Sequence, residues 1–225
     1  MSVNDSVDTA VSASAGTGTR TSGRPLQQRA QVTKDAIIEA AASQFNTVGY
    51  AASSVNEIVA QAGSSKGSLY FHFSSKKALA QRLVQVWGDV LTDTITHITT
   101  TGEPPHQQVA AIYRELAYRV AQDHQVRAGL LMSLEPAVDE SAQVYTAWTS
   151  AITVIVEHAV RSGDLGTEAA PPRLGESLCA GFVGAMHVAS SLGEPESISR
   201  RVEDLLALWP GSNQAPARAT KAVAR

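Results

Sequence analysis

From about Gln27 to Trp209 apolar residues return at intervals of three and four, and stretches of strict apolar–polar alternation are short and isolated. That spacing lines one side of a helix and cannot line one face of a strand, so the chain is predicted to be all-α. A first helix is predicted over about Gln27 to Val48, with Ile37, Ile38, Ala41, Phe45 and Val48 on its inner face and Gly49 as its stop. Ser54 opens a second, with Glu57 completing a capping box, Val55, Ile58, Val59 and Ala62 turned inward, and Gly63 ending it. After a three-residue turn a third helix runs from Lys66 to Phe71, and Ser74 or Ser75 caps a long one carrying Leu79, Leu83, Val86, Val90 and Leu91. Later helices are marked by Val109, Ile112, Leu116 and Val120; by Val144, Trp148, Ile152, Ile155 and Val156; by Leu178, Phe182 and Met186; and by Ile198, Val202, Leu205, Leu206 and Trp209. Gly102-Glu103-Pro104-Pro105, Pro136, Gly163-Asp164-Leu165-Gly166 and Gly193-Glu194-Pro195 break them, giving nine or ten helices.

At 225 residues the chain is longer than a typical domain of ~100–150, which suggests one small unit and one larger one. A composition of 44% apolar and 17% charged residues is enough to bury a core. The longest apolar stretch, Leu178 to Leu192, is interrupted by His187, Ser190 and Ser191, so no membrane span is expected. Asp5 and Asp8 replace the positive charge of a signal peptide, and Cys179 is a single cysteine, so the cytoplasm is the expected compartment. Charge is unevenly spread. Residues 20–82 hold eight bases against three acids, whereas residues 83–210 hold seven bases against sixteen acids. A basic unit on an acidic body suggests a polyanion partner at one end, although a charge run can also be a merely solvated face. Residues 1–24 and 211–225, rich in small and polar residues without an apolar period, are expected to be a disordered arm and tail. A domain over 25–74 and a helical body over 75–210 remain between them.

Two short helices joined by a tight glycine turn, after a long supporting helix, are what a helix-turn-helix needs to present its last helix to the major groove. In that last helix Leu69 and Phe73 anchor inward, while Ser65, Gly67 and Ser68 keep the outer face slim enough to approach base edges. Lys66, Tyr70, His72 and Lys76 flank it with donors, and the helix start at Ser75 offers free amides to phosphate. Ser54 and Arg29 complete the expected DNA-binding set, with Arg24 and Arg29 reaching along the groove edge.

With Val55-Asn56-Glu57-Ile58-Val59 ahead of it and Ser75-Lys76-Lys77-Ala78-Leu79 behind it, this stretch resembles the TetR family of transcriptional repressors over residues 27–80. The resemblance implies a TetR-like fold: an all-helical homodimer with an N-terminal three-helix DNA-binding domain and a larger ligand-binding and dimerisation body. Ser64 departs from it, standing where the family commonly has an apolar residue. A narrower likeness, to the γ-butyrolactone receptor branch, rests on Tyr70-Phe71-His72-Phe73-Ser74-Ser75-Lys76, Val126-Arg127-Ala128-Gly129-Leu130, Trp148 and Gly163-Asp164-Leu165. It implies that Trp148 looks down on a small lactone or furan, that Gln85 bonds its polar head, and that Leu130, Ile152, Val183 and Met186 line the pocket. A polar Thr often sits where this chain has Val183, leaving Tyr113, Tyr145 or Thr153 to supply the lost hydrogen bond.

The reading expected from these features is a repressor that binds double-stranded operator DNA as a dimer and is released by a small-molecule inducer in a pocket between the connecting helix and the Trp148 helix. An orphan pseudo-receptor for an antibiotic intermediate, or a helical ligand-binding protein without DNA binding, are the alternatives. The dimer surface is expected on the last two helices, where Ala180, Gly181, Gly184, Ala185 and Ala189 permit close approach and Val202, Leu205 and Leu206 add apolar area. On its own Trp148 would more often be a core residue, and Trp87 and Trp209 are taken as packing residues. Cys179 and His187 are two candidate ligands where zinc normally needs four, and His97, His106, His124 and His158 are expected at the surface. Gly63-Ser64-Ser65-Lys66-Gly67 matches a nucleophile elbow, but that motif needs a preceding strand and the sequence supplies helices. No catalytic residue, metal or cofactor is expected.

Overall fold

Nine α-helices lie among the described residues, eight where the apolar spacing marks them and one, α6, that it did not mark: α1 (Gly23–Ala52), α2 (Val55–Gln61), α3 (Lys66–His72), α4 (Lys76–Thr99), α5 (Pro105–Gln122), α6 (His124–Met132), α7 (Ser141–Arg161), α8 (Pro171–Ser191) and α9 (Ile198–Ala207). A short 3-10 turn, Pro195–Ser197, precedes α9. The computed structural model describes residues 23–139, 141–166 and 170–209, with side chains from residue 27 onward. All but the end of the expected arm, the side chain of Arg24 and the tail 211–225 lie outside the described residues.

Local chemistry sets the helix ends. Ser54 Oγ accepts the Glu57 amide, Ser65 Oγ that of Ser68, and Ser75 Oγ that of Ala78, so Ser75 and not Ser74 caps α4. Asp123 caps α6 through the amides of Gln125 and Val126. The first helix begins at Gly23, earlier than expected, and breaks at Gly49, whose φ of 80° and ψ of 171° suit a residue without a Cβ. One more turn carries it to Ala52. Val48, expected inside, is 47% exposed because it faces away from the core that takes Phe45.

Two apolar cores form, and α4 belongs to both. Ile37, Ala41, Phe45, Ile58, Leu69 and Phe73 pack with Leu79, Leu83 and Val84 from the start of α4 and with Ala128 and Met132 from α6. Further along, Trp87, Leu91 and Ile98 join α5, α7, α8 and α9 in the larger core. Each large side chain so buried contributes roughly 1.5–3 kcal/mol. The three-helix module therefore has no floor of its own, because the first turns of α4 and one side of α6 supply it. Gly129 permits that seat: a Cβ there would collide with the Leu83 carbonyl oxygen and lie 2.9 Å from Trp87 Cβ. Asn46 Nδ2 donating to the His124 carbonyl at 2.9 Å and Gln125 Nε2 donating to Glu39 at 2.9 Å fasten α1 to α6.

Two expectations are corrected by this packing. Val202 and Leu206 are buried within their own subunit, and Leu205 lies on Gly181, where a Cβ would meet its Cδ1 at 2.7 Å. These residues close α9 onto α8 and α5 and are not free for a partner. His106 is buried and not at the surface, with Nδ1 3.4 Å from Asp164 Oδ2 and its carbonyl accepting Trp209 Nε1. The elbow-like Gly63 to Gly67 stretch, already set aside in the sequence, is the turn of the helix-turn-helix, with Ser65 as a cap and no strand among the described residues.

Candidate nucleic-acid interface and ligand groove

On α3 the seven-residue length leaves one outer face and one inner face. Leu69 is fully buried and pins the helix, while Lys66, Gly67 and Tyr70 stand outside with Tyr70 53% exposed. Ser68 and His72 are half-buried at the edges, and Ser65 is exposed at the N-terminus. Capping uses only an acceptor lone pair of Ser65 and Ser54, so each hydroxyl keeps its proton to donate outward. Arg29 is exposed on α1. Phe71, absent from the expected set, is 80% exposed, with its ring 5.0 Å from that of His72. An apolar ring held out in water is the signal that sequence reasoning passed over.

Lys76 does not join this face. Its ammonium donates to the Tyr50 carbonyl at 2.6 Å and the Ser53 carbonyl at 2.8 Å and lies 4.5 Å over the Tyr50 ring, so the flank expected to meet phosphate is turned inward. Beyond the Gly49 break the last turn of α1 leaves carbonyls with no further turn of helix to bond them, and such a carbonyl captures a nearby charged donor. Its neighbour Lys77 pairs with Asp139 at 2.7 Å. Lys66 makes no ion pair among the described residues and stands exposed on the outer face of α3.

In the body Trp148 is 2% exposed and its ring meets those of Trp87 at 5.7 Å, Tyr113 at 5.9 Å and Phe182 at 5.5 Å. Trp87, taken from sequence as mere packing, thus joins α4 directly to the Trp148 helix. Trp148 Nε1 is buried without a hydrogen-bond acceptor, which leaves a donor unsatisfied in an apolar setting. Tyr113, Leu130, Ile152 and Met186 are buried in the same core and Val183 is half-buried against it. Tyr113 Oη and Cys179 Sγ lie 3.3 Å apart; burial, then the neighbouring thiol, raises the Tyr113 phenol well above its ordinary range, and burial pushes the Cys179 thiol up. Both stay neutral, so they offer hydrogen bonds and no charge.

Beside Trp148 a groove of about 490 Å³ opens between α4 and α7, lined by Gly88, Leu91, Thr92, Ile95, Val144 and Ala147 among others. Tyr145 meets the Trp148 ring edge-on at 6.4 Å and also lines a hydroxyl-rich groove of about 790 Å³ between α7 and α8 that holds Thr149 and Thr153. Gln85 is exposed on α4 and lines neither groove. Its position falls on the outer side of a helix whose inner side carries Leu83 and Trp87. Cys179 is buried and His187 exposed, so that pair does not converge on a metal. Among the described residues no helix is long and apolar enough to cross a membrane.

Residues 37–83 match the family described as bacterial regulatory proteins, tetR family. The A-factor receptor protein of Streptomyces griseus is 29% identical over 165 residues, which cover 73% of this chain and 58% of that protein. The chain thus spans less than two thirds of that relative's length. A crystal structure of a gamma-butyrolactone receptor (ArpA-like protein) superposes with a TM-score of 0.70 at 27% identity, covering 79% of this chain and 85% of the other. The TetR family protein CprB from S. coelicolor A3(2) gives a TM-score of 0.73 at 26% identity, covering 80% of this chain and 87% of that one.

Proposed function

From the match of residues 37–83 to the tetR family of bacterial regulatory proteins, we propose that the protein is a transcriptional repressor released from operator DNA by a small signalling molecule of the γ-butyrolactone class. The observation that carries the DNA reading is α3 itself, pinned by buried Leu69 while Lys66, Gly67 and Tyr70 stand free outside. Gly67 lets the helix backbone approach base edges. Ser65, Ser68, Tyr70, His72, Ser54 and Arg29 position the head on the sugar–phosphate backbone, and Lys66 supplies charge. In a symmetric dimer each α3 enters one major groove, with half-sites about 34 Å apart or a multiple of it.

The dimer surface is best supplied by α8 with α7. Ser177, Ala180, Gly184 and Val188 form an exposed stripe on α8, and Val154 on α7 is 58% exposed beside it. Small side chains there let helices from two subunits approach closely.

Release follows from α4 being shared between the cores. A lactone entering by the groove between α4 and α7 offers its carbonyl to the orphaned Trp148 Nε1 and parts Trp148 from Trp87. Trp87 is on α4, so the helix beneath the reading head moves with it. A coupling of ~1–3 kcal/mol weakens DNA binding roughly 5–150-fold, and a nearly complete swing needs ~5.5 kcal/mol. The test is a gel-shift assay with the protein's own upstream DNA at several salt concentrations, followed by release with synthetic γ-butyrolactones. Absence of any salt-dependent shift would sink the repressor reading, and a stable shift untouched by every lactone would sink the ligand class.

A further inference from the structure

Lys76 holds a place that connects three elements. It is the first residue of α4 and follows α3 after a gap of three residues, yet its ammonium is spent on Tyr50 and Ser53, at the end of α1 and just before the Ser54 cap of α2. Tyr50 O also accepts from Ser53 Oγ at 2.8 Å, so the same carbonyl holds the turn and the lysine together. The Tyr50 ring beneath the ammonium rests on Phe45, a fully buried member of the module's core, with ring centroids 5.7 Å apart. Chain connectivity already joins α2 to α3 and α3 to α4. The lysine closes this chain into a ring by tying the start of α4 back to the start of α2.

We infer that Lys76 is a positioning residue: by clamping the Tyr50 and Ser53 carbonyls it makes the reading head and the first turn of α4 one rigid body, and it neutralises no phosphate. The inference rests on the repressor reading for its consequence and on the geometry alone for the clamp. With two of its three N–H donors committed at 2.6 and 2.8 Å and its ammonium half-buried over an aromatic ring, the side chain keeps one donor at most for any other partner and is held at the α1 end by the two bonds it already makes. While it stays, any tilt of α4 carries α3 with it and does not dissipate in the α3–α4 corner.

The experiment compares wild type with Lys76→Met, Lys76→Arg and Lys66→Met, using a duplex selected by the wild-type protein from a random pool. Operator affinity is measured against salt, and amide hydrogen exchange is followed on the free protein. Each phosphate-neutralising lysine contributes about 0.9 to the salt slope, so Lys66→Met should flatten it by about 1.8 per dimer. Lys76→Met should weaken binding about tenfold with the slope unchanged, and Lys76→Arg, which keeps charge and donors, should recover most of the loss. Exchange at Leu69 and Phe73 should quicken at least about tenfold in Lys76→Met, with Ile112 and Val156 in the body unaffected. A slope flattened by about 1.8 with exchange unchanged would make Lys76 a phosphate contact, and uniform acceleration through the body would reduce it to general stability; either overturns the clamp. Should wild type select no duplex, the repressor reading fails while the exchange comparison still decides the clamp. Should Lys76→Met not fold, Lys76→Gln, which retains one amide donor, is scored by the same two readouts.

Discussion

Replacing Gly129 by alanine tests the joint between reading head and body most directly. The new Cβ would collide with the Leu83 carbonyl oxygen and stand 2.9 Å from Trp87 Cβ and 3.1 Å from the Leu83 carbonyl carbon, whereas carbon atoms in contact settle at about 3.5–4.0 Å. The atoms it meets are backbone or bonded to backbone, so no rotamer change relieves the overlap and α6 must draw back from α4. Overpacking of this kind costs typically ~1–3 kcal/mol, and the upper end applies where side chains cannot give way. Alanine's better helix propensity returns about 0.8–1.0 kcal/mol. The net loss is about 2 kcal/mol, which for a chain of this size lowers Tm by about 4–8 °C. Gly88→Ala is the internal control. Its Cβ would meet only Val144 Cγ2, at an ordinary 3.7 Å, so the propensity gain should leave Tm level or raise it by about 2–4 °C. Thermal unfolding followed by circular dichroism reads both. Withdrawal of α6 also strains the Asn46–His124 and Gln125–Glu39 bonds, so operator affinity should fall in Gly129→Ala and not in Gly88→Ala. A Gly129→Ala protein melting at or above wild type would refute the close seat of α6 on α4.

Further outcomes follow from single side chains. Ser65→Ala removes the cap of α3 and should cost ~1 kcal/mol of stability, seen in urea unfolding, together with a loss of operator affinity. Trp148→Phe keeps a ring in the core but deletes the orphaned Nε1–H; DNA binding should persist while the lactone concentration needed for release rises at least about tenfold, measured by gel shift. Arg114, bound to Glu203 at 2.7 and 3.1 Å, holds that carboxyl below its usual range. A depressed carboxyl stabilises the fold above its unfolded pKa of about 4.3, and the contribution fades as pH falls through the lower folded value. Because the pair is half-exposed, Arg114→Met should therefore cost no more than about 1 kcal/mol at pH 7, and the difference in Tm from wild type should shrink as pH is lowered through the acid range.

Helix order, the serine caps and the Gly49 and Gly63 stops were legible in the residues because each is decided within about one turn of chain, where apolar period, N-cap hydroxyl and positive φ act without help from elsewhere. The outer face of α3 was legible for the same reason, since pinning Leu69 inside dictates what stands outside. Residues whose roles depend on what another helix brings were not. Lys76 looks like a surface donor until the last turn of α1 and the residue after it present it with two carbonyls, and Gln85 looks poised over a ligand until α4's rotation, set by Leu83 and Trp87, turns it to solvent. Val202 and Leu206 read as a sticky stripe, and it took α5 and α8 of the same chain to cover them. Trp87 became the partner of Trp148 only through the crossing of α4 and α7. Sequence alone thus determined most of the segments that coil, though not α6, because hydrogen bonding along a helix is local; the assignment of each face to solvent, partner or core belonged to the tertiary structure, because burial is decided by whichever distant surface arrives to exclude the water.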